Sequence, residues 1–266
     1  MTIPFHKLSA TGNDFVVIDH RNPFLNQDEL SQFAVEICQA HTGIGADGVL
    51  LLENARDYAF RMIYYNADGS RAAMCGNGGR ALGWFARQFH LWDTEGIFVA
   101  DDGEHLLKWE DDNVGISLTI HGTIEEVNLA DIMAGWYLNT GVPHLVLLSD
   151  DVQHEDVTGR GRKYRFDSHF VDGTNVNFME MRNDGIHLRT YERGVEDETL
   201  ACGTGSLAAA AVASEIHHRT LPVNIHMPGG VLRIVKEKGH WMILGGVEEI
   251  FRGEVSLGNR ITKYIS

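Results

Sequence analysis

The chain has 266 residues, 44% of them hydrophobic and 22% charged, enough apolar material for one large core or two smaller ones. Its formal net charge of −15 argues against nucleic acid or anionic membrane as a partner, and any carboxylate ligand must be held by local positive potential. Three cysteines make no even disulfide framework and no CxxC or HExxH spacing offers a metal site, so no metal is expected and the cysteines point to reactive thiols. Residues 1–10 lack the basic start and apolar run of a signal peptide, and no stretch approaches membrane-spanning length. The expectation is a soluble, cytoplasmic protein with no membrane partner.

In chain order, residues 3–8 and 15–18 read as short strands joined through a turn at Gly12-Asn13. Asn26 stands three residues before Glu29 as a capping box, and Leu30, Phe33, Ala34, Ile37 and Cys38 follow at helical spacing. Cys38 lies on that apolar face and reads as a small buried hydrophobe. Gly43-Ile44-Gly45-Ala46-Asp47-Gly48 matches GxGxxG letter by letter, but a helix precedes it and a strand, 49–52, follows. A Rossmann phosphate loop needs the reverse order, so these glycines are read as a tight turn that carries Asp47 and Gly48 near the site.

Residues 60–65 form a strand that ends in the turn 66–70 and delivers the chain to Cys75. A helix follows from Gly76 to about residue 90, with Leu82, Phe85, Ala86 and Phe89 on one face and few charges on the other, the pattern of a mostly buried helix. Strands are expected at 97–100, 105–109 and 114–120, then at 136–139 and 145–148. The charged stretch 150–165 carries Arg160, Arg162 and Arg165; it reads as a short helix or loop whose arginines are solvated rather than a phosphate patch. Strands 175–180 and 186–191 lead through Glu192-Arg193-Gly194 to Cys202 and a second helix ending near His217-His218. That pair is read as a helix-end dipole contact, not a metal site. Strands 223–226, 231–236, 241–244 and 250–257 complete the chain.

One pattern occurs twice. Met74-Cys75-Gly76-Asn77-Gly78-Gly79-Arg80 and Ala201-Cys202-Gly203-Thr204-Gly205-Ser206-Leu207 each place a cysteine and glycines directly before an Ala-rich apolar run. Thr11-Gly12 recurs as Thr140-Gly141, residues 48–53 as 175–180, and Tyr65-Asn66 as Tyr191-Glu192, in one order and at a near-constant spacing. A period this long means a duplicated domain and not a solenoid. Two homologous halves are expected, residues 1–121, to which 249–266 return, and 122–248, each with one central helix and many antiparallel strands.

A cysteine that opens a helix is not chemically neutral. The first turn has free N–H groups and a partial positive charge, which bind anions and lower a thiol pKa from its usual ~8.5. If the halves pack as a pseudo-twofold pair, Cys75 and Cys202 come to opposite sides of a small ligand. The carboxylate of an amino acid then sits between the helix starts, on N–H groups of Gly76, Asn77, Gly203 and Thr204. One thiolate removes the Cα proton and the opposite thiol delivers another, inverting the centre without a cofactor. The same two cysteines also admit a thiol-redox or ligand-binding protein that cycles through a disulfide.

The segments MCGNGGR, RTYERGVEDETLACGTG, ATGNDFVVID, YNADGS and GTNVNFME resemble the signatures of the diaminopimelate epimerase family, in the right order over most of the chain. The resemblance implies an α+β fold of two pseudo-symmetric domains, each a mostly antiparallel β-sheet wrapped around a central α-helix, and a homodimer. It also implies an isomerase that interconverts LL- and meso-diaminopimelate without a cofactor, for lysine and peptidoglycan synthesis. Proline racemase and related enzymes share the double-cysteine fold, so a racemase of another amino acid is the nearest rival. Residue by residue, the resemblance makes Cys75 and Cys202 the proton-transferring pair, and Gly76-Asn77 and Gly203-Thr204 the α-carboxylate cradle. It makes Asn13, Asn66 and Asn175 substrate-binding, has Glu192-Arg193 engage substrate amine and carboxylate groups, and has His144 and Glu192 tune the thiols. The chain departs from the family at Val142, where members often carry an asparagine for the distal end of the substrate, and at Gly48, where some have glutamine.

Overall fold

Along the first strand, β1 (Thr2–Ala10), Ile3, Phe5 and Leu8 are buried while Thr2 and Pro4 face out, the alternation of a strand with one face on a core. The computed structural model describes residues 2–129 and 134–256 and the backbone of 262–265; Leu257, the end of the last expected strand, lies outside them. The chain divides into two units, Met1–Ile116 with Gly245–Ser266, and Ser117–Leu244.

In the first unit β1 is followed by β2 (Asn13–Asp19), α1 (Gln27–Ile37), β3 (Gly48–Glu53), β4 (Arg61–Asn66), β5 (Arg71–Ala72), α2 (Gly76–Gln88), β6 (Glu95–Ala100), β7 (Gly103–Glu110) and β8 (Asn113–Leu118). The β1 to β2 turn sits at Thr11-Gly12, one residue earlier than expected, because Ala10 already pairs with Asn13. Thr11 and Gly12 have φ of 53° and 89°, as a two-residue hairpin turn of the primed type demands. Strand β8 stops at Leu118, short of the expected 120.

The second unit runs β9 (His121–Val127), β10 (Gly135–Asn139), β11 (Pro143–Leu148), α3 (Val157–Arg165), β12 (Asn175–Arg182), β13 (Gly185–Glu192), β14 (Asp197–Thr199), α4 (Gly203–Glu215), β15 (Val223–Met227), β16 (Gly230–Glu237) and β17 (His240–Gly245). The chain then adds β18 (Glu248–Ser256) and β19 (Thr262–Ile265), and β18 pairs with β1.

Pairing in the two units follows one scheme. Hairpins are antiparallel, but β2 pairs with β3, and β4 with β6, in parallel. So do β11 with β12 and β13 with β15. Parallel neighbours need a crossover, and a helix supplies each one: α1 and α2 in the first unit, α3 and α4 in the second. The sheets are therefore mostly, not wholly, antiparallel, and the central helices α2 and α4 each connect two parallel strands. The 150–165 stretch resolves into a 3-10 turn at Val152–His154 and the helix α3, started by Asp156, which accepts from Gly159 N–H at 2.9 Å. Of its arginines Arg162 is exposed, as expected, while Arg160 pairs with Glu155 at 2.5 Å and Arg165 with Glu196 at 3.0 Å.

Helix α2 packs against β1 to β4, and α4 against β10 to β13, β15 and β16. From Leu207 to Ala213 every residue of α4 is 0% exposed, so this helix is apolar on all sides because sheet surrounds it. At its far end His217 packs edge-on to Trp136 with ring centroids 4.9 Å apart. The outer helix α1 is amphipathic, burying Leu30, Phe33, Ala34 and Ile37 on the core that also takes Cys38. Among the described residues no helix is long and apolar enough to cross a membrane.

The Asn26 and Glu29 capping box at α1 is complete, with Asn26 Oδ1 accepting from Asp28 and Glu29 N–H at 3.1 Å and Glu29 accepting from Asn26 N–H at 2.8 Å. Asn26→Ala is expected to lower unfolding stability by about 1 kcal/mol, and Asn26→Ser to retain most of it, as read from urea denaturation.

Candidate active site

Both central helices begin on a cysteine. Cys75 is the N-cap of α2 in extended backbone (φ −139°, ψ 126°), and its sulfur accepts from Gly78 N–H at 3.4 Å. Cys202 is the N-cap of α4 (φ −126°, ψ 107°), is 6% exposed, and lies 3.4 Å from the Thr204 hydroxyl. Gly76 and Asn77, and Gly203 and Thr204, are the first helical residues after them. These are the positions whose N–H groups have no carbonyl partner inside the helix. Cys38 differs in kind: burial pushes its thiol up to about 12, so it is inert at neutral pH.

Around Cys75 the polar side chains form a chain of hydrogen bonds with a fixed direction. Arg80 donates to Thr11 Oγ1 at 2.8 Å and to Asn77 Oδ1 at 2.9 Å. Asn77 then donates to Asn13 Oδ1, and Asn13 donates to Asp47 at 2.9 Å. A guanidinium only donates and a carboxylate only accepts, so the two ends fix the orientation of both amides between them. The glycine turn 43–48 holds its end in place: Asp47 N–H donates to Asp14 O, Asp14 N–H donates to the Asp47 carboxylate, and Lys7 bonds Gly45 O and pairs with Asp14 at 2.6 Å. The GxGxxG match is thus a turn that presents Asp47 to Asn13.

Arg80 is unusual in being 0% exposed, with Nε and Nη1 buried and without hydrogen-bond partners among the described residues. Burial lowers its guanidinium to about 10, and the Cys75 sulfur acts in the opposite direction. The group stays cationic at neutral pH, and a buried cation beside a helix start favours a thiolate there. Asn66 ends β4, donates to Ser70 Oγ at 3.0 Å, and stands opposite Gly48 in register. A Cβ at Gly48 would lie 2.5 Å from Tyr65 O and 2.6 Å from the Tyr64 ring, so a side chain there would force the backbone to shift.

In the second unit, Thr140 Oγ1 donates to Thr204 O at 3.1 Å, tying the β10 to β11 turn to the start of α4. Half-buried Val142 lies in that turn, and Pro143 and His144 follow it into β11. His144 is 0% exposed, and burial lowers it to about 3, with the nearby Arg193 charge acting in the same direction. Asn175 links two backbone segments, donating to Pro143 O at 3.0 Å and accepting from Arg193 N–H at 2.8 Å. It thereby sets the path of Glu192-Arg193. Glu192 accepts from Thr199 Oγ1 at 3.0 Å, and Arg193 Nη1 donates to Asp172 O at 2.8 Å.

Within the first unit, Cys75, Gly76, Asn77 and Asn13 are joined by these contacts; within the second, Cys202, Gly203, Thr204, His144, Asn175, Glu192 and Arg193 lie on the strand ends and turns around the start of α4. Sequence reasoning missed Arg80, Thr11, Asn177 and Thr190. Two signals were present: a lone arginine in the first turns of a Gly- and Ala-rich helix, and an asparagine two residues after Asn175, on the same strand face. Replacing Arg80 by Met is expected to slow iodoacetamide alkylation of Cys75 at pH 7 by roughly tenfold, the thiolate change for one pKa unit, while Arg80→Lys loses less. Peptide mass mapping of the modified thiol reads this, and an unchanged Cys75 rate in Arg80→Met would refute the electrostatic role.

The diaminopimelate epimerase family model matches residues 5–120 and 136–250. A diaminopimelate epimerase of Flavobacterium psychrophilum is 40% identical over 233 residues, covering 86% of this chain and 89% of that protein. One from Aquifex aeolicus is 37% identical over 276 residues, covering 95% and 97%. Among solved structures, an Enterococcus faecalis protein of the phenazine biosynthesis PhzF family superposes with a TM-score of 0.76 over 97% of this chain and 100% of its own at 13% identity, a likeness of fold. The α+β fold of two domains and a family match spanning both cysteine-capped helices lead to one assignment: the chain belongs to the diaminopimelate epimerase family.

Proposed function

We propose that this protein interconverts LL- and meso-diaminopimelate by a two-thiol mechanism that uses no pyridoxal phosphate, in the reducing cytoplasm and as a homodimer. The observation that carries the reading is that both cysteines are N-caps of buried central helices in a chain that matches the family across both units. A helix start provides what the reaction lacks in water. Its N–H groups hold the substrate α-carboxylate, and its positive end stabilises the negative charge that develops on carboxylate and Cα as the proton leaves.

One cysteine, as thiolate, takes the Cα proton; the other, as thiol, protonates the opposite face of the same carbon. The stereocentre inverts, and the enzyme ends with its two sulfur protonation states exchanged. The Arg80 cation, through its effect at Cys75, favours the thiolate on that residue in the resting enzyme. Asn13 and Asn77, oriented by the Arg80 to Asp47 chain, and Arg193, held by Asn175, supply the polar contacts that fix the substrate. Such positioning matters because a general acid or base acts only on a proton within hydrogen-bond reach.

Cys75→Ser and Cys202→Ser are each expected to lower turnover by roughly 10²- to 10⁴-fold while calorimetric affinity for diaminopimelate stays within a few-fold. The wild-type enzyme, in heavy water under reducing conditions, should place solvent deuterium at Cα. Full turnover in either variant, or product free of deuterium, would refute the mechanism. Hydroxylamine, which traps pyridoxal phosphate, should leave the rate unchanged; inhibition would refute the cofactor-independent chemistry.

A further inference from the structure

His144 is buried among groups that the proposed reaction does not itself require, and their hydrogen bonds decide where its proton sits. It lies on β11 in register with Asn175 of β12, and Asn177 is two residues further along the same face of β12. The Asn177 amide makes three contacts. Its Nδ2 lies 3.0 Å from Leu145 O and 3.0 Å from His144 Nδ1, and its Oδ1 lies 3.0 Å from Thr190 Oγ1.

A backbone carbonyl can only accept, so the atom facing Leu145 O is the NH2 end of the amide, and its orientation follows from chemistry. The second amide hydrogen then points at His144 Nδ1. That nitrogen must present a lone pair, so the neutral ring carries its proton on Nε2. An imidazolium would set one N–H against another at this contact, in a site that is already dry and near the Arg193 charge. His144 Nε2 is itself buried and has no hydrogen-bond partner among the described residues.

The Asn177 amide borders the thiol. A Cβ built on Gly205 would lie 2.4 Å from Asn177 Oδ1 and 3.3 Å from Cys202 Sγ, so the amide and the sulfur meet over the same backbone atom at the start of α4. Only glycine leaves room for this approach. We propose that Asn177 is a positioning residue that fixes His144 as the Nε2–H tautomer, so that His144 serves the Cys202 end of the site as a neutral proton donor and not as the base that ionises the thiol. The catalytic part rests on the epimerase reading above; the tautomer does not. A neutral N–H donor steadies a neighbouring thiolate without competing for its proton.

The test uses the full-length protein labelled with 15N-histidine, free of substrate, with long-range 1H–15N correlation spectra from pH 5.5 to 8.5 and the His144 signals assigned by their loss in His144→Gln. The expected result is a protonated Nε2 and a lone-pair Nδ1 that do not titrate. A protonated Nδ1, or a ring that titrates in this range, would overturn the proposal whatever the enzyme's substrate. Asn177→Asp replaces the donor by an acceptor and should move the proton to Nδ1, lowering kcat by roughly 10- to 100-fold, the usual effect of losing an outer-sphere partner, with KM within about twofold. Thr190→Val removes the hydroxyl that orients the amide and should lower kcat less, in the same direction. Unchanged kcat in both variants would overturn the catalytic role, while the wild-type spectrum decides the tautomer even if Asn177→Asp fails to fold.

Discussion

The start of a buried helix is the constraint on which this molecule turns. Every helix leaves backbone N–H groups of its first turn unpaired, and burial makes that costly. The four helices meet the cost in two ways. The outer helices α1 and α3 are closed by good acceptors, Asn26 with Glu29 in one and Asp156 in the other. The central helices α2 and α4 begin instead on sulfur, a weak acceptor, followed by glycine. Their stability therefore comes from burial inside the sheets and not from their caps, and their positive ends remain available to an anion.

The two units solve the second problem, holding polar side chains still beside those helix starts, with different residues and one logic. In the first, a donor-only guanidinium and an acceptor-only carboxylate bracket Asn77 and Asn13. In the second, a backbone carbonyl and a threonine hydroxyl bracket Asn177 and pass the direction on to His144. An amide can flip at little cost in water. Held against a guanidinium, a carboxylate or a backbone carbonyl, each of fixed polarity, it cannot, so the hydrogen-bond donors around each helix start are ordered before any ligand arrives.

Local charge runs against the global balance. The chain carries a net charge of −15, yet the residues around Cys75 include a fully buried cation in Arg80. Two of its nitrogens have no partner among the described residues, which costs folding free energy, and the result is a positive potential that solvent cannot screen. Cys38, in an apolar core, shows the opposite outcome for the same side chain, its thiol held up at about 12.

The two helix starts, the capping box, the false dinucleotide loop and most strands were legible in the sequence, because each is a local pattern of period, turn chemistry or burial. The parallel pairs within each sheet were not, since they join strands far apart in the chain, and the first hairpin turns one residue earlier than its glycine suggested. The candidate site divides along the same line. Cys75 and Cys202 announce themselves as repeated residues before Ala-rich helices, whereas the roles of Arg80 and Asn177 exist only through contacts with Thr11, Asn77, Leu145 and His144. Residue order alone settled where the thiols sit on their helices. Only the folded chain decided which way the neighbouring protons point, because a hydrogen bond takes its direction from both partners, and the strands bring those partners together.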